Sequence, residues 1–270
     1  MKNRPPSLLL LVWLLVLCAC EEGSHPAAPV PPKAPSEVSF LTVELAELTE
    51  ARAFDSDLLG AVHGVIRVTG DVPARFPLGA RKMSECCQFD DVEHLSDIVV
   101  AADGKLKNAF VSVISGFQKA DIPTPSALPV VVDQRGCIYS PHVTGLQVGQ
   151  KLRIATSDPT AHNVNMSAPG NRLSPNIAMV AGQDPVEFVF RRPDLIKLRC
   201  DLHPWMTAQV HVCKHPWFAV SDAAGAFRIP NLPPGNYVIE VQHEEFGVLR
   251  GGVAVEARRS AGVAFEFVAD

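Results

Sequence analysis

Metal-binding residue types cluster in the segment Cys200–Met206, which reads Cys-Asp-Leu-His-Pro-Trp-Met. Cys200 supplies a thiolate, His203 an imidazole and Met206 a thioether, and His162, earlier in the chain, supplies a second imidazole. Two nitrogens, a thiolate and a weak methionine sulfur form the donor set that suits both Cu(I) and Cu(II) in electron-transfer sites. Zinc sites rarely include methionine, so the pattern predicts copper rather than zinc.

Strand alternation gives an independent indication of which donors can meet. Apolar and polar residues alternate on both sides of the ligand segment and after His162, a pattern typical of half-buried strands. The alternation predicts inward-facing side chains for Cys200, Met206 and His162. It places His211 and Cys213 on the outward side, where they are poor ligand candidates.

The segment from about Pro129 to Val212 resembles the small cupredoxins of the plastocyanin and amicyanin type. Four features carry the resemblance: Val131-Val132-Asp133, the turn Leu146-x-Val148-Gly149-Gln150, Ala161-His162-Asn163-Val164, and Cys200-x-x-His203-Pro204-x-Met206. They span roughly a third of the chain. The resemblance implies a Greek-key β-sandwich that binds one type 1 copper ion.

The resemblance also implies roles for individual residues. The equatorial copper ligands would be His162, Cys200 and His203, and Met206 would be the axial ligand. Asn163 would hydrogen-bond around the ligands and hold their loops together. Pro204 has no backbone N–H to donate to the thiolate, which would alter the reduction potential. His203, in an exposed loop, would be the port for electrons.

Other functions are possible, and some copper centres are excluded. The ligand segment contains a single cysteine and no His-x-His or His-Cys-His arrangement, so the site should be mononuclear and the protein an electron carrier rather than an enzyme. Three alternatives stay open: a copper-handling protein without redox cycling, a structural β-sandwich interaction module with an unused copper site, and an enzyme with a second metal at Cys137 and His142.

The N-terminus has the features of an exported lipoprotein. Residues 1–20 combine a basic start, an apolar run and small residues, which is typical of a signal peptide. Leu17-Cys18-Ala19-Cys20 resembles a bacterial lipobox, so we expect lipidation of Cys20; an ordinary secretory signal is the alternative. Residues 21–37 are rich in proline and predict an extended tether. The expected location is the periplasmic cell envelope, with the outer membrane favoured.

Charge limits the choice of partners. The net charge is −5, and it becomes −7 when the two cationic residues Lys2 and Arg4 are removed with the signal peptide. An acidic chain of this kind is a poor match for nucleic acid. The expected partners are therefore the membrane, through the lipid anchor, and a redox protein such as a cytochrome or an oxidase.

Four cysteines are left when Cys18 is removed with the signal peptide, Cys20 is lipidated and Cys200 is assigned to copper: Cys86, Cys87, Cys137 and Cys213. In an oxidising compartment they could form disulfides, although sequence does not fix the connectivity. We favour a bond from Cys137 to Cys86 or Cys87, because the loop that carries these two lies outside any strand pattern.

Strand signals dominate after the tether, so the chain is predicted to be all-β. We divide it into an N-terminal β region (38–128), the cupredoxin-like domain (129–213) and a smaller sandwich (214–270). The last segment has an Asp-x-x-Gly turn and a Pro-Pro-Gly turn before an alternating strand, and it resembles the carboxypeptidase regulatory-like, transthyretin-like sandwich. The first strands of that sandwich are missing just before Phe218. The N-terminal region could supply them, which would make the cupredoxin-like domain an insertion in a discontinuous sandwich; two sequential domains are the alternative.

Overall fold

The computed structural model describes residues 56–78 and 95–270. The predicted signal peptide, tether and lipidation site at Cys20 lie outside these residues, as do Cys86 and Cys87. None of the helices in the described part is long and apolar enough to cross a membrane. The elements are short 3-10 helices at Ser56–Leu58, Lys119–Asp121 and Pro169–Asn171 and the strands β1 Gly60–Gly70, β2 Ala101–Ala102, β3 Lys105–Leu106, β4 Phe110–Ser115, β5 Val130–Gln134, β6 Tyr139–Ser140, β7 Val143–Gln147, β8 Lys151–Thr156, β9 His162–Ser167, β10 Asn176–Met179, β11 Val186–Val189, β12 Asp194–Arg199, β13 Thr207–Cys213, β14 Phe218–Val220, β15 Ala226–Leu232, β16 Gly235–His243, β17 Gly247–Val255 and β18 Ser260–Ala269.

The predicted all-β fold is confirmed. Strands β5 to β13 build one sandwich from a five-stranded sheet, in the order β10-β9-β12-β13-β7, and a four-stranded sheet, in the order β11-β8-β5-β6. Inward-facing residues of both sheets share one apolar core, which includes Leu152, Ile154, Ile196 and Leu198. We call this the inner sandwich, because its strands come from one continuous segment in the middle of the described chain. It holds all four predicted copper ligands.

A second sandwich is assembled from both ends of the described chain. Strand β1 pairs with β15, with β3 and, in parallel, with β18, while β4 pairs with β14 and β16. Its separate core includes Ile66, Trp217, Ile239 and Phe267. Along the chain, the inner sandwich therefore lies between the two parts of this outer sandwich.

The two sandwiches are packed together through aromatic rings. Phe110 of β4 stacks on His211 of β13, with ring centroids 3.8 Å apart and an interplanar angle of 5°, and it also contacts Phe218. Gly145 of β7 leaves room for both rings, since a Cβ there would lie 2.7 Å from each. His211 faces away from the inner core, as the alternation predicts, but the outer sandwich buries it.

An ion pair between the buried His142 and the partly exposed Glu244 also joins the sandwiches. His142 Nε2 lies 3.0 Å from Glu244 Oε2, and His142 Nδ1 lies 3.0 Å from the Thr207 carbonyl. Both neighbours are acceptors, so the imidazole satisfies them together only when it carries two protons. Burial opposes that charge, but the hydrogen bond to Glu244 and its negative charge raise the pKa of His142 above its usual value.

Glu244→Gln should therefore destabilise the protein in a pH-dependent way. The pair's contribution is fully present below the unfolded pKa, about 6.5, and is lost as the pH rises through the raised folded pKa. We expect a loss of about 1 to 2 kcal/mol in the free energy of unfolding at pH 5.5 and a much smaller loss at pH 9. Urea unfolding at both pH values measures this, and equal losses would contradict it.

Candidate metal centre

The four predicted ligands lie at one end of three neighbouring strands of the five-stranded sheet. His162 is the first residue of β9, Cys200 directly follows β12 and Met206 directly precedes β13, and these strands are neighbours in the sheet. Adjacent antiparallel strands bring the start of one beside the end of the next. His203 lies in the turn between β12 and β13, which is closed by backbone hydrogen bonds from Met206 N to His203 O, 2.8 Å, and from Cys200 N to Met206 O, 3.1 Å.

Three donor atoms form a small triangle. His162 Nδ1 and His203 Nδ1 are 3.0 Å apart, and Cys200 Sγ lies 4.0 Å from the former and 3.5 Å from the latter. Metal–nitrogen bonds of about 2.0 Å and metal–sulfur bonds of about 2.3 Å separate such donors by about 3.3 to 3.7 Å around one ion. The spacing therefore fits a single metal ion. Met206, in the same loop, is fully buried in the inner core.

Asp158, which the sequence analysis did not single out, orients His162. Its Oδ2 lies 2.8 Å from His162 Nε2 and accepts a hydrogen bond from Cys137 N, while Oδ1 accepts one from Gly136 N. A proton on Nε2 leaves the Nδ1 lone pair pointing at the other donors, which is the arrangement a metal ligand needs. The only sequence signal was an aspartate four residues before the histidine.

Charges around the triangle stabilise one another. Burial disfavours the charged form of His162, but Asp158 and Cys200 outweigh burial and raise its pKa to about 9. Burial likewise opposes ionisation of Asp158 and Cys200, yet the pKa of each lies below its ordinary value. The carboxyl is lowered by His162 and two backbone N–H groups, and the thiol by His162 and the N–H groups of Asn163, His203 and Leu202.

Asn163 makes hydrogen bonds beside two of the predicted ligands. Its Oδ1 accepts a hydrogen bond from Asp201 N, 2.7 Å, and lies 3.3 Å from Cys200 Sγ. Its Nδ2 donates to Asn176 and to the Asp201 carboxylate. The side chain thus joins the strand of one ligand to the loop of another. Pro204 lines a cavity beside the loop, and its effect on the potential stays a prediction.

Tyr139 is a second residue that the sequence analysis missed. Its buried hydroxyl donates to Asn163 O at 2.9 Å, lies 3.3 Å from Arg199 O and accepts a hydrogen bond from Gln134 Nε2. The two carbonyls belong to residues next to His162 and Cys200. Burial is the main reason that the pKa of Tyr139 is raised, so the phenol keeps its proton and holds the two ligand strands together.

The expectation that His203 is exposed is wrong, since only 2% of the residue is accessible. Its Nε2 lies 4.0 Å from Cys137 Sγ, and the Trp205 ring packs against it with centroids 5.4 Å apart. The Trp205 indole donates to Cys137 O at 2.9 Å, which fixes both covering residues. Both contacts of Cys137, with His203 and with Trp205, join residues more than 60 positions apart in sequence.

Cys137 is disulfide-bonded, whereas Cys200 and Cys213 are free thiols. Its partner therefore lies outside the described residues, and the predicted pairing with Cys86 or Cys87 stays a prediction. Cys137 also forms a potential metal-binding group with His162 and His203, with donor atoms within 4.8 Å of one another. A disulfide sulfur is not a thiolate, so we assign the thiolate donor to Cys200. The alternative site at Cys137 and His142 is disfavoured, because His142 is engaged by Glu244.

No protein-family model matches the chain, and no curated protein matches it. Solved structures similar to part of it include a copper-containing nitrite reductase from Thermus scotoductus, at 18% identity and a TM-score of 0.28, covering 33% of this chain and 25% of that chain. A purple cupredoxin from Nitrosopumilus maritimus is 27% identical, with a TM-score of 0.25, covering 28% and 81%. A Cu(I) amicyanin mutant is 19% identical, with a TM-score of 0.28, covering 38% and 97%.

Proposed function

We propose that the protein is a periplasm-facing, lipid-anchored type 1 copper protein that transfers single electrons between redox partners. The observation that carries the proposal is the donor triangle of His162 Nδ1, His203 Nδ1 and Cys200 Sγ, with Met206 buried in the same loop. A bound copper ion would supply the one-electron couple between Cu(II) and Cu(I), which this mixture of nitrogen and sulfur donors suits.

The surrounding residues favour electron transfer because they restrict movement of the ligands. Asp158 fixes the ring of His162, while Tyr139 and Asn163 tie the ligand strands and loops together. Side chains held by packing and hydrogen bonds keep nearly the same positions when the charge of the centre changes. Little rearrangement would then oppose the transfer of an electron.

The proposed location and partners are supported by the sequence alone. A lipid on Cys20 and the proline-rich tether would hold the sandwiches near the membrane, and polyproline-like chain rises about 3.1 Å per residue. A tether of this length could reach roughly 50 Å. The partner would be a redox protein such as a cytochrome or an oxidase, and the protein itself would perform no catalysis.

The optical spectrum of the protein with Cu(II) tests the proposal. We expect an intense visible band from thiolate-to-copper charge transfer in the natural chain and its loss in Cys200→Ser. The matched control is Cys213→Ser, which removes the other free thiol among the described residues. Burial raises the pKa of Cys213 to about 12, so its removal should leave the band intact. Absence of the band in the natural chain, or its persistence in Cys200→Ser, would refute the proposal.

The burial of His203 favours a second candidate function, copper binding without electron shuttling. Cys137 and Trp205 cover the imidazole edge through which a partner would approach, and an enclosed centre exchanges electrons slowly. Measurement of electron self-exchange between the Cu(I) and Cu(II) forms separates the two functions. Fast exchange supports the carrier, whereas slow exchange together with ready copper transfer to an acceptor chelator supports copper handling.

A further inference from the structure

Two sulfur atoms lie on opposite sides of the His203 imidazole. Cys200 Sγ is 3.5 Å from Nδ1, on the side of the donor triangle. Cys137 Sγ is 4.0 Å from Nε2, on the other side, and it lies within 4.8 Å of a ring nitrogen of both His162 and His203. The 4.8 Å limit exceeds the separation of about 3.3 to 3.7 Å expected around one ion, so the side chains on the Cys137 side must move closer together for one ion to contact the sulfur and both imidazoles.

In its disulfide-bonded state Cys137 cannot bind a metal as a thiolate. A disulfide sulfur carries no charge and is a poor ligand, whereas a free thiol loses its proton when it binds a metal. A protein dithiol reduces the disulfide by thiol–disulfide exchange and is itself oxidised to a disulfide. In vitro, a phosphine and one water molecule reduce the disulfide to two thiols, and the phosphine is oxidised to a phosphine oxide.

The position of Cys137 does not depend on the disulfide alone. Its backbone N–H donates to the buried Asp158 carboxylate at 2.9 Å, and its carbonyl accepts a hydrogen bond from the Trp205 indole at 2.9 Å. The residue itself is fully buried in the inner core. Reduction removes neither hydrogen bond, so the free thiol should stay beside the two imidazoles.

We propose that reduction of the disulfide at Cys137 opens a second metal position, in which the Cys137 thiolate, His162 and His203 bind a borderline or soft ion such as Zn(II) or Cu(I). Thiolate and imidazole are the ligands these ions prefer. Because both positions use the same two histidines, the second position competes with the one at Cys200. The redox state of one disulfide would then decide which sulfur holds the metal.

Co(II) bound to the Cys200→Ser chain provides the test, since a thiolate bound to Co(II) gives a charge-transfer band. The full chain is treated with phosphine, freed of it by anaerobic gel filtration and titrated with Co(II). We expect no band in the oxidised variant and a band equivalent to about one thiolate after reduction. No band after reduction would overturn the proposal. So would a band that persists in Cys200→Ser/Cys137→Ser, because another cysteine would then be the ligand.

A second measurement does not depend on the folding of a variant. Zn(II) affinity of the natural chain, measured by competition with a chromophoric chelator, should rise at least tenfold on reduction. The same treatment of Cys137→Ser should give no rise, and an unchanged affinity in the natural chain would count against the second position. Both readouts are independent of the blue Cu(II) band, so this proposal and the copper function can fail separately.

Discussion

Asp158→Asn is expected to weaken Cu(II) binding by about 10- to 100-fold, the range found when a residue that orients a metal ligand is lost. The carboxylate accepts from three N–H groups, those of His162, Cys137 and Gly136. An asparagine has only one acceptor oxygen, so its NH₂ group would point at one or more of the N–H donors that the carboxylate now accepts from. The amide would favour His162 with its proton on Nδ1, which removes the lone pair that the metal needs.

The same substitution should also destabilise the protein without metal. Loss of one partner from a buried ion pair costs about 3 to 5 kcal/mol, and the Asp158–His162 pair is almost completely enclosed. Isothermal titration with Cu(II) and urea unfolding of the metal-free chain measure the two effects. Glu187→Gln is the control, since it removes one negative charge from a surface carboxylate paired with Lys151 and Arg153. Equal copper affinity in the two variants would show that Asp158 does not orient the ligand.

Phe110→Ala should lower the free energy of unfolding by about 3 to 5 kcal/mol, the usual cost of deleting a buried phenylalanine. The ring is 3% exposed and lies between the inner and outer sandwiches, stacked on His211 and Phe218. Its removal leaves a cavity that β strands on both sides are too rigid to fill. Urea unfolding at pH 7 measures the loss, and Phe76→Ala, at a residue 55% exposed, should cost far less.

The pH dependence of stability gives a second readout for Phe110→Ala. Burial lowers the pKa of His211 to about 3, so below about pH 6.5 the unfolded chain binds a proton there that the folded chain does not. Stability of the natural protein therefore falls as the pH drops from about 6.5 towards 3. Admission of water beside His211 should make this acid loss smaller in the variant. If the free energy of unfolding of the variant fell with decreasing pH as steeply as that of the natural protein, Phe110 would not be what excludes water from His211.

The ligand strands were predictable because their residues alternate locally. Cys200, Met206 and His162 face inward and are buried, as the two-residue period requires. The burial of His203 was not predictable, because Cys137, which is 66 positions away in sequence, reaches the imidazole only through tertiary structure. His211 shows the limit of the same rule: alternation gives the face of a strand, but it does not show whether another sheet covers that face.

Asp158 and Tyr139 could not be identified for a related reason. Each acts through hydrogen bonds to groups on other strands or loops, and an isolated aspartate or tyrosine in a sequence has many ordinary roles. The division of the outer sandwich was foreseen only as one of two arrangements, because strand pairing between distant segments leaves no periodic signal. Pairing of β1 with both β15 and β18 is visible only in the structure.

The parallel pairing of β1 with β18 has a consequence for the order of folding. Residues such as Thr69 and Glu266, in contact across this pair, are separated by 197 positions, whereas the inner sandwich is formed by one continuous segment. Contacts between distant residues form slowly because a long loop must close first. During synthesis or export, the inner sandwich can fold as soon as its own segment has emerged. Strand β1 cannot form its parallel pairing until the C-terminal strand β18 has emerged. A truncation that removes β18 should therefore leave β1 exposed to proteases and the inner sandwich protected.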